Sequence, residues 1–575
     1  MTAMTLAEAV EQFTRTEPRF AVTEADIRGT SFKVFANTPA NLREMMRISA
    51  DAHGDKDFLI YEGERQSYGA FCARVNRTAH LLTAMGVRRG DRVAIIMRNY
   101  PELLQLMMAI QSTGAIVVPM NAWWTAEELA YGLEDSGAKL VFADGPRQAR
   151  IATFAAENGI RLIGVRDAED TASEALTVLL AAITDTSWPK TPIQLDDDFA
   201  VMYSSGSTGH PKGVVQTHRG AISAVYSWVM SSELVRSLAD PSMGLPGQDI
   251  ADGTSKTLVI TPLFHVTATH PVWLQCLVVG TSVVLMHKWD PVKAIELINR
   301  EQITRFLGVP TQSADLMEAV RRTGTEVPSL VYLGAGGAKR PPVQVGQQAE
   351  AFPGTAIASG WGMTETNALG LTISGPDYVA RPGSAGRCIP PLQEMRILDD
   401  DDREVPTGEV GELLVKSAAN MRCYLNRPED TDEVLQDGWL RTGDLAKVDE
   451  DGFYYIVDRK KSIIIRGGEN ISVLEVEAAI HRHADVLEAG VFSVPDARLG
   501  EAVGASVQLR DGASLTETEL CDFLTGVLAP FKIPAHVWFR DTPLPRGGTD
   551  KIDWRVLRTE CLALMAETGQ SSAAG

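Results

Sequence analysis

The 575 residues contain no Cys-x-x-Cys pair, and the six cysteines, Cys72, Cys276, Cys388, Cys423, Cys521 and Cys561, lie far apart. That scatter excludes a disulfide scaffold and a structural zinc site of the usual spacing, and suits inert thiols in a reducing compartment. A long apolar run is also missing. The most apolar stretch, Val272 to Met286, is broken by Gln275, Gly280, Thr281 and Ser282. It falls short of the about 20 residues that a helical membrane span needs, and reads as core. Positive charge is in deficit, with 54 Lys and Arg against 74 Asp and Glu, a net charge of −20. Such a surface repels nucleic-acid phosphate and anionic membranes, so neither nucleic acid nor integral membrane contact is expected. The opening residues MTAMTLAEAVEQF carry acidic groups and no apolar segment, and the closing SSAAG spells no receptor-read address. A cytoplasmic protein is therefore expected.

What is present is an ordinary globular composition, 45% hydrophobic and 22% charged. The length allows about four compact units, or one large domain with a smaller one. Short apolar runs alternate with amphipathic helical patterns: RVAIIM (92–97), PELLQLMMAIQSTG, IVVPM (116–120), TAEELAYGLEDSG and KLVFA (139–143). That alternation is the βαβ signature and predicts a parallel sheet with helices on its faces. Thr125 with Glu128 forms a capping-box pattern, and Gly137 stands where the helix needs a left-handed residue. The pattern predicts α/β structure to about residue 455, interrupted by a polar surface insertion at Leu238 to Lys256. After YYIVDRKKSIII the texture changes. A helix at 473–483, strands at 489–494 and 502–509, a helix at 516–528 and a strand at 536–540 predict a small α+β domain. Residues 567–575 are expected to fray.

The strongest local chemical signal is YSSGSTGHPKG, Tyr203 to Gly213. Its glycines let backbone N–H groups converge, its hydroxyls add donors and Lys212 adds a charge, which together make a phosphate cradle. Pro211 before the lysine and Gly213 after it exclude a Walker A loop. The ordinary alternative is a flexible Ser/Gly loop.

Six further segments follow in order, and with them nearly the whole chain resembles the adenylate-forming (ANL) superfamily, in its acyl-CoA synthetase or fatty-acid–CoA ligase branch. They are TPLFHV (261–266), GAGGA (334–338), SGWGMTET (359–366), WLRTGDL (439–445), DRKKSIIIRGGENIS (458–472) and LPRGGTDKI (544–552). The resemblance implies a large N-terminal adenylate-forming domain of βαβ layers, residues 1–460, and a small mobile C-terminal α+β domain, residues 461–575. It implies nucleotide contacts from Ser204, Ser205, Gly206, Ser207, Thr208, Gly209, Lys212, Gly336, Trp361, Asp444 and Arg459. Glu365 would hold Mg2+ and Thr364 would bond a phosphate oxygen, in keeping with the preference of magnesium for a carboxylate beside phosphates. Asp444 would accept the ribose hydroxyls. The planar fork of Arg459 suits phosphate or ribose oxygens, whereas Lys460 is expected to point to solvent. Trp361 replaces the tyrosine usual in the YGxTE motif and is placed on adenine or on the acyl tunnel wall.

Lys551 would otherwise read as a solvated surface charge. The resemblance makes it the catalytic lysine that stabilises charge on the carboxylate and α-phosphate in the transition state. Asp550 before it departs from the usual TGK. His265, Ala335 and Gly360 are assigned to the acyl substrate, and with no carboxylate at 265 an α-amino acid is disfavoured. Lys461 matches the hinge, and Gly467 and Gly468 the CoA channel. His481 and His483 face different directions on their helix and are rejected as a metal site.

The expected activity is AMP-forming ligation of a hydrophobic carboxylic acid to CoA, with ATP, Mg2+ and CoA. A medium- or long-chain fatty acid stands ahead of an aryl or steroid-derived acid. A ligase that loads a separate carrier protein is the alternative, since only 24 residues follow Lys551. A luciferase-type oxygenase shares the same motifs. A homodimer is compatible with these observations.

Overall fold

The computed structural model describes residues 5–166, 174–204, 211–238, 255–460, 462–466, 469–496, 498–547 and 551–567. The expected βαβ alternation closes into two large mixed sheets. In the seven-stranded sheet, Arg92–Ile96 lies between Ile116–Pro119 and Leu140–Ala143, all parallel, and the hairpin of Asp198–Ser204 with Lys212–Thr217 extends one edge. The nine-stranded sheet carries the parallel run Ser282–Leu285, Lys256–Val259, Arg305–Gly308, Tyr332–Ala335 and Ala356–Trp361. Strands such as Ile116–Pro119 and Leu140–Ala143 are buried at every residue, which is why their sequences run apolar without alternation. Helix Pro101–Ser112 is apolar nearly all round and buried except at Glu102. A helix of that composition belongs inside a core, and it joins helices Tyr68–Ala84 and His218–Leu238 in the largest apolar cluster. Thr125 accepts the Glu128 backbone N–H in a complete capping box, and Gly137 ends that helix at φ 64°.

The α/β pattern does not run to residue 455. Gln393–Leu398, Gly411–Ser417, Trp439–Val448 and Tyr454–Arg459 form an antiparallel sheet. Gln393–Leu398 and Trp439–Val448 carry buried residues at intervals between more open ones, Gly411–Ser417 is buried almost throughout as the strand between them, and Asp- and Gly-containing turns join the strands, a texture suited to antiparallel pairing.

A separate five-stranded sheet follows, built from Ile464–Arg466, Glu469–Ile471, Val486–Asp496, Gly500–Leu509 and His536–Arg540. It has its own core, including Val476, Ile480, Val491, Val503, Leu520 and Leu524. The helices, Val473–Ile480 and Glu517–Thr525, start where Ser472 and Thr516 cap them and end three residues short of the expectation, at the C-caps His481 and Gly526. Beyond the expected elements, helix Trp554–Glu567 packs Leu557, Cys561 and Met565, spaced four apart, against Phe492, Val494 and Ala502. Most of the expected insertion, residues 239–254, and the expected frayed end, residues 568–575, lie outside the described residues. No described helix is long and apolar enough to cross a membrane.

Candidate active site

The C-terminal ends of the parallel strands in the nine-stranded sheet converge with the antiparallel sheet and with Lys551. Strand Tyr332–Ala335 buries the Ala335 methyl and runs into Gly336, whose N–H donates to the Gly308 carbonyl. Gly337 then turns at φ +77°, and a Cβ there would stand 3.0 Å from Lys551 Cε and 3.1 Å from Nζ. The bare backbone is what lets the lysine lie across this loop. The Lys551 carbonyl accepts the Gly547 N–H. Burial pushes the Lys551 ammonium down to about 8, and Arg459 adds to the shift. His265 is within the field of Lys551 and half-buried at the start of a short helical turn. Desolvation, then the lysine charge, lowers its pKa to about 3, so it is a neutral imidazole at pH 7.

On the neighbouring strand, Ala356–Trp361, successive side chains point to opposite faces. Gly360 faces helix His218–Leu238. Trp361 faces the antiparallel sheet, packs with Ile397, Leu413 and Ala446, and donates its indole N–H to Asp444 Oδ2 at 2.7 Å. Asp444 sits opposite Arg459 in the register of Trp439–Val448 with Tyr454–Arg459, and the Arg459 Nε stands 3.4 Å from Oδ1. Burial raises the Asp444 pKa, against the pull of Arg459 and Trp361. Lys460 is exposed, as expected, but it is ion-paired to Asp400 at 2.9 Å and Glu412 at 3.4 Å.

Thr364 and Glu365 occupy a buried 3-10 turn, Thr364–Thr366. The Thr364 carbonyl accepts from Gln216 Nε2. Glu365 Oε1 accepts the Tyr424 hydroxyl at 2.9 Å, and burial raises its pKa. Among the described residues Glu365 makes no ion pair. A lone buried carboxylate costs free energy unless a cation shares it. That donor fits Mg2+, which takes one or two carboxylates and fills its shell from phosphate and water. Tyr424 also lies under the Lys212 ammonium, 5.0 Å from the ring centroid, and Lys212 pairs with Asp430 at 3.0 Å.

The hairpin register Ser204 to Lys212 fixes both ends of the expected phosphate cradle. Its Ser205, Gly206, Ser207, Thr208 and Gly209 lie outside the described residues, as do Lys461, Gly467, Gly468 and Asp550. The structure thus brings together Lys551, His265, Gly336 and Gly337 on one side, and Trp361, Asp444 and Arg459 on the other. Glu365 and Lys212 meet at Tyr424, and Thr364 shares the turn of Glu365. Tyr424 and Gln216 were not candidates from sequence, because each enters through tertiary contact with the Thr364–Thr366 turn.

A model of the AMP-binding enzyme family matches residues 46–425, and one of the AMP-binding enzyme C-terminal domain matches residues 475–551. The chain belongs to the AMP-binding enzymes. Feruloyl-CoA synthase of Amycolatopsis sp is 35% identical over 85% of this AMP-binding enzyme and 93% of the relative. A long-chain-fatty-acid–CoA ligase of Mycobacterium tuberculosis is 31% identical over 86% and 93%. ATP-bound MatB from Rhodopseudomonas palustris superposes with a TM-score of 0.79 at 28% identity, covering 90% of this chain and 99% of that one. o-Succinylbenzoate-CoA synthetase of Bacillus subtilis, solved with ATP and magnesium, gives 0.74 at 29%, covering 89% and 99%. The curated relatives of this AMP-binding enzyme are acid–CoA ligases, so it is an AMP-forming acid–thiol ligase.

Proposed function

We propose that this enzyme uses ATP to convert a hydrophobic carboxylic acid into an acyl-adenylate and then into its CoA thioester. The observation that carries the reading is the insertion of Lys551, from the C-terminal segment, against Gly337 of the large domain and within the field of His265 and Arg459. A lysine so placed neutralises charge that builds where a carboxylate meets the α-phosphate, and such preorganised charge is typically the largest catalytic contribution. The acid carboxylate attacks the α-phosphorus in line and pyrophosphate leaves. The CoA thiol then attacks the acyl carbonyl, and AMP leaves.

In this reading Asp444 accepts ribose hydroxyls while Trp361 and Arg459 hold its carboxylate, which limits the reorganisation needed on binding. Neutral His265 and the small residues Ala335, Gly336 and Gly360 border the acid. The cradle from Ser204 to Lys212 receives phosphates, with Thr364 beside it. Magnesium held by Glu365 would supply charge neutralisation at the phosphates. Tyr424 orients Glu365 through its hydroxyl.

The domain division falls at 460/461, with Lys461 as the pivot. Support comes from the change of sheet between Tyr454–Arg459 and Ile464–Arg466. Rotation there would withdraw Lys551 and turn the segment with Gly467 and Gly468 toward the pantetheine path. Release of AMP and pyrophosphate that depends on both acid and CoA, with a thioester of the expected mass, tests the proposal. Adenylate that accumulates with CoA untouched would identify a carrier-loading enzyme instead. A fatty acid is supported by the long-chain ligase relative and an aryl acid by the feruloyl relative.

A further inference from the structure

The wall that leads away from Lys551 can be followed residue by residue. Gly337 lies against the lysine. A Cβ on Gly336 would stand 3.4 Å from Thr267 Cγ2 and 3.9 Å from the Gly360 carbonyl. A Cβ on Gly360 would in turn stand 3.4 Å from Trp228 Cη2. From the lysine outward, the wall is the backbone of Gly336 and Gly360, with the Thr267 side chain and the Leu371 carbonyl beside it, until it meets the edge of an indole. Trp228 belongs to helix His218–Leu238, and between Gly220 and Ser231 it is the one residue that is not fully buried. In an otherwise sealed stretch, that partial exposure marks where the helix borders open space. The rest of its ring packs with Ala224, Leu369, Ile389 and Ala419. Its Nε1 is buried and, among the described residues, has no hydrogen-bond partner. A buried donor left unpaired costs about 1–3 kcal/mol, which a ligand acceptor can relieve. Trp361 takes no part, because strand alternation turns it to the opposite face, toward Asp444.

We infer that Trp228 closes the far end of the acid pocket and sets which acids enter. It admits compact acids that carry a hydrogen-bond acceptor at their distal end, as an aryl acid with a ring hydroxyl does, and refuses long unbranched chains. The inference rests on the ligase reading and narrows its substrate class. The aromatic edge limits length, and the unpaired N–H rewards an oxygen. Neither feature favours a plain alkyl chain, so the fatty-acid expectation gives way at this wall to a shorter, oxygenated acid.

The test measures kcat/KM for thioester formation by wild type, Trp228→Phe and Trp228→Ala on cinnamate, 4-hydroxycinnamate, octanoate and hexadecanoate. Wild type should use 4-hydroxycinnamate and octanoate at least about tenfold better than hexadecanoate. Trp228→Ala should shrink that deficit by about tenfold or more. Trp228→Phe keeps the ring and loses the N–H, so it should cut 4-hydroxycinnamate relative to cinnamate by about three- to tenfold while hexadecanoate stays excluded. If Trp228→Ala does not fold, Trp228→Leu carries the same comparison. Equal chain-length profiles in all variants, or a wild type that prefers hexadecanoate, would overturn the role of Trp228 and leave the ligase reading standing. A wild type that forms neither adenylate nor thioester from any acid would remove the ligase reading itself.

Discussion

At the residue scale, charge placement makes the sharpest predictions. Lys551→Ala removes a cation engaged chiefly in the transition state, so ATP–pyrophosphate exchange should fall by about 10²–10³. Thioester formation from pre-made acyl-adenylate should survive, and near-normal exchange in the variant would refute the assignment. Because burial holds Lys551 at about 8, the ammonium is present below that pH and lost above it. The kcat/KM of adenylation should therefore decline about tenfold per pH unit above 8. His265, at about 3, is neutral throughout and should add no limb between pH 5 and 8. Trp361 allows a separation of stacking from hydrogen bonding. If its N–H to Asp444 matters most, Trp361→Phe should weaken ATP binding about as much as Trp361→Ala, by about 1.5–3 kcal/mol for a bond to a charged group. Rescue by phenylalanine, measured by calorimetry, would return the residue to a stacking role.

At the scale of the element, the strand Ala356–Trp361 and its antiparallel partner Leu371–Ser374 place two opposite faces at one site. They can approach because Gly370 has no side chain: a Cβ there would stand 2.2 Å from the Trp361 carbonyl and 2.7 Å from its ring. The obstacle is backbone, which cannot rotate away. Gly370→Ala should destabilise the protein by about 1–3 kcal/mol, the usual cost of overpacking, read from denaturant midpoints at constant slope. It should also weaken ATP binding, since it displaces the indole that holds Asp444. A stability loss with unchanged ATP affinity would separate this strand pair from the nucleotide site.

At the scale of the whole molecule, one nucleotide site must serve two reactions, and the segment that joins the sheets is short. Asp458 is buried at the end of the large domain and accepts from Ser472 Oγ at 2.9 Å and from the Leu474 N–H at 3.3 Å, across the proposed boundary. These bonds belong to the geometry that holds Lys551 at Gly337. A hinge absorbs large φ/ψ changes at a few residues, whereas proline fixes φ near −65°. Lys461→Pro should spare pyrophosphate exchange and lower thioester formation from acyl-adenylate and CoA by orders of magnitude. Equal loss of both rates would place the pivot elsewhere.

Much of this protein was legible in the chain alone. The βαβ alternation, the Thr125 capping box, Gly137, the second core after residue 460 and the ordered motifs are local patterns, and local patterns follow from backbone sterics, capping and burial over a few residues. The family and the two-part fold follow from them. The same reading stretched βαβ structure from residue 393 to about 455 and passed over helix Trp554–Glu567, because antiparallel pairing and a terminal helix's docking depend on partners distant in sequence. Tertiary structure alone decided that Trp361 turns to Asp444, that Tyr424 meets Glu365 and that Trp228 stands behind Gly360. Each brings together residues some 60 to 130 positions apart. Composition and spacing carry no information about which distant face a folded sheet will present to which helix. That depends on strand register, and register is settled only when the whole core packs.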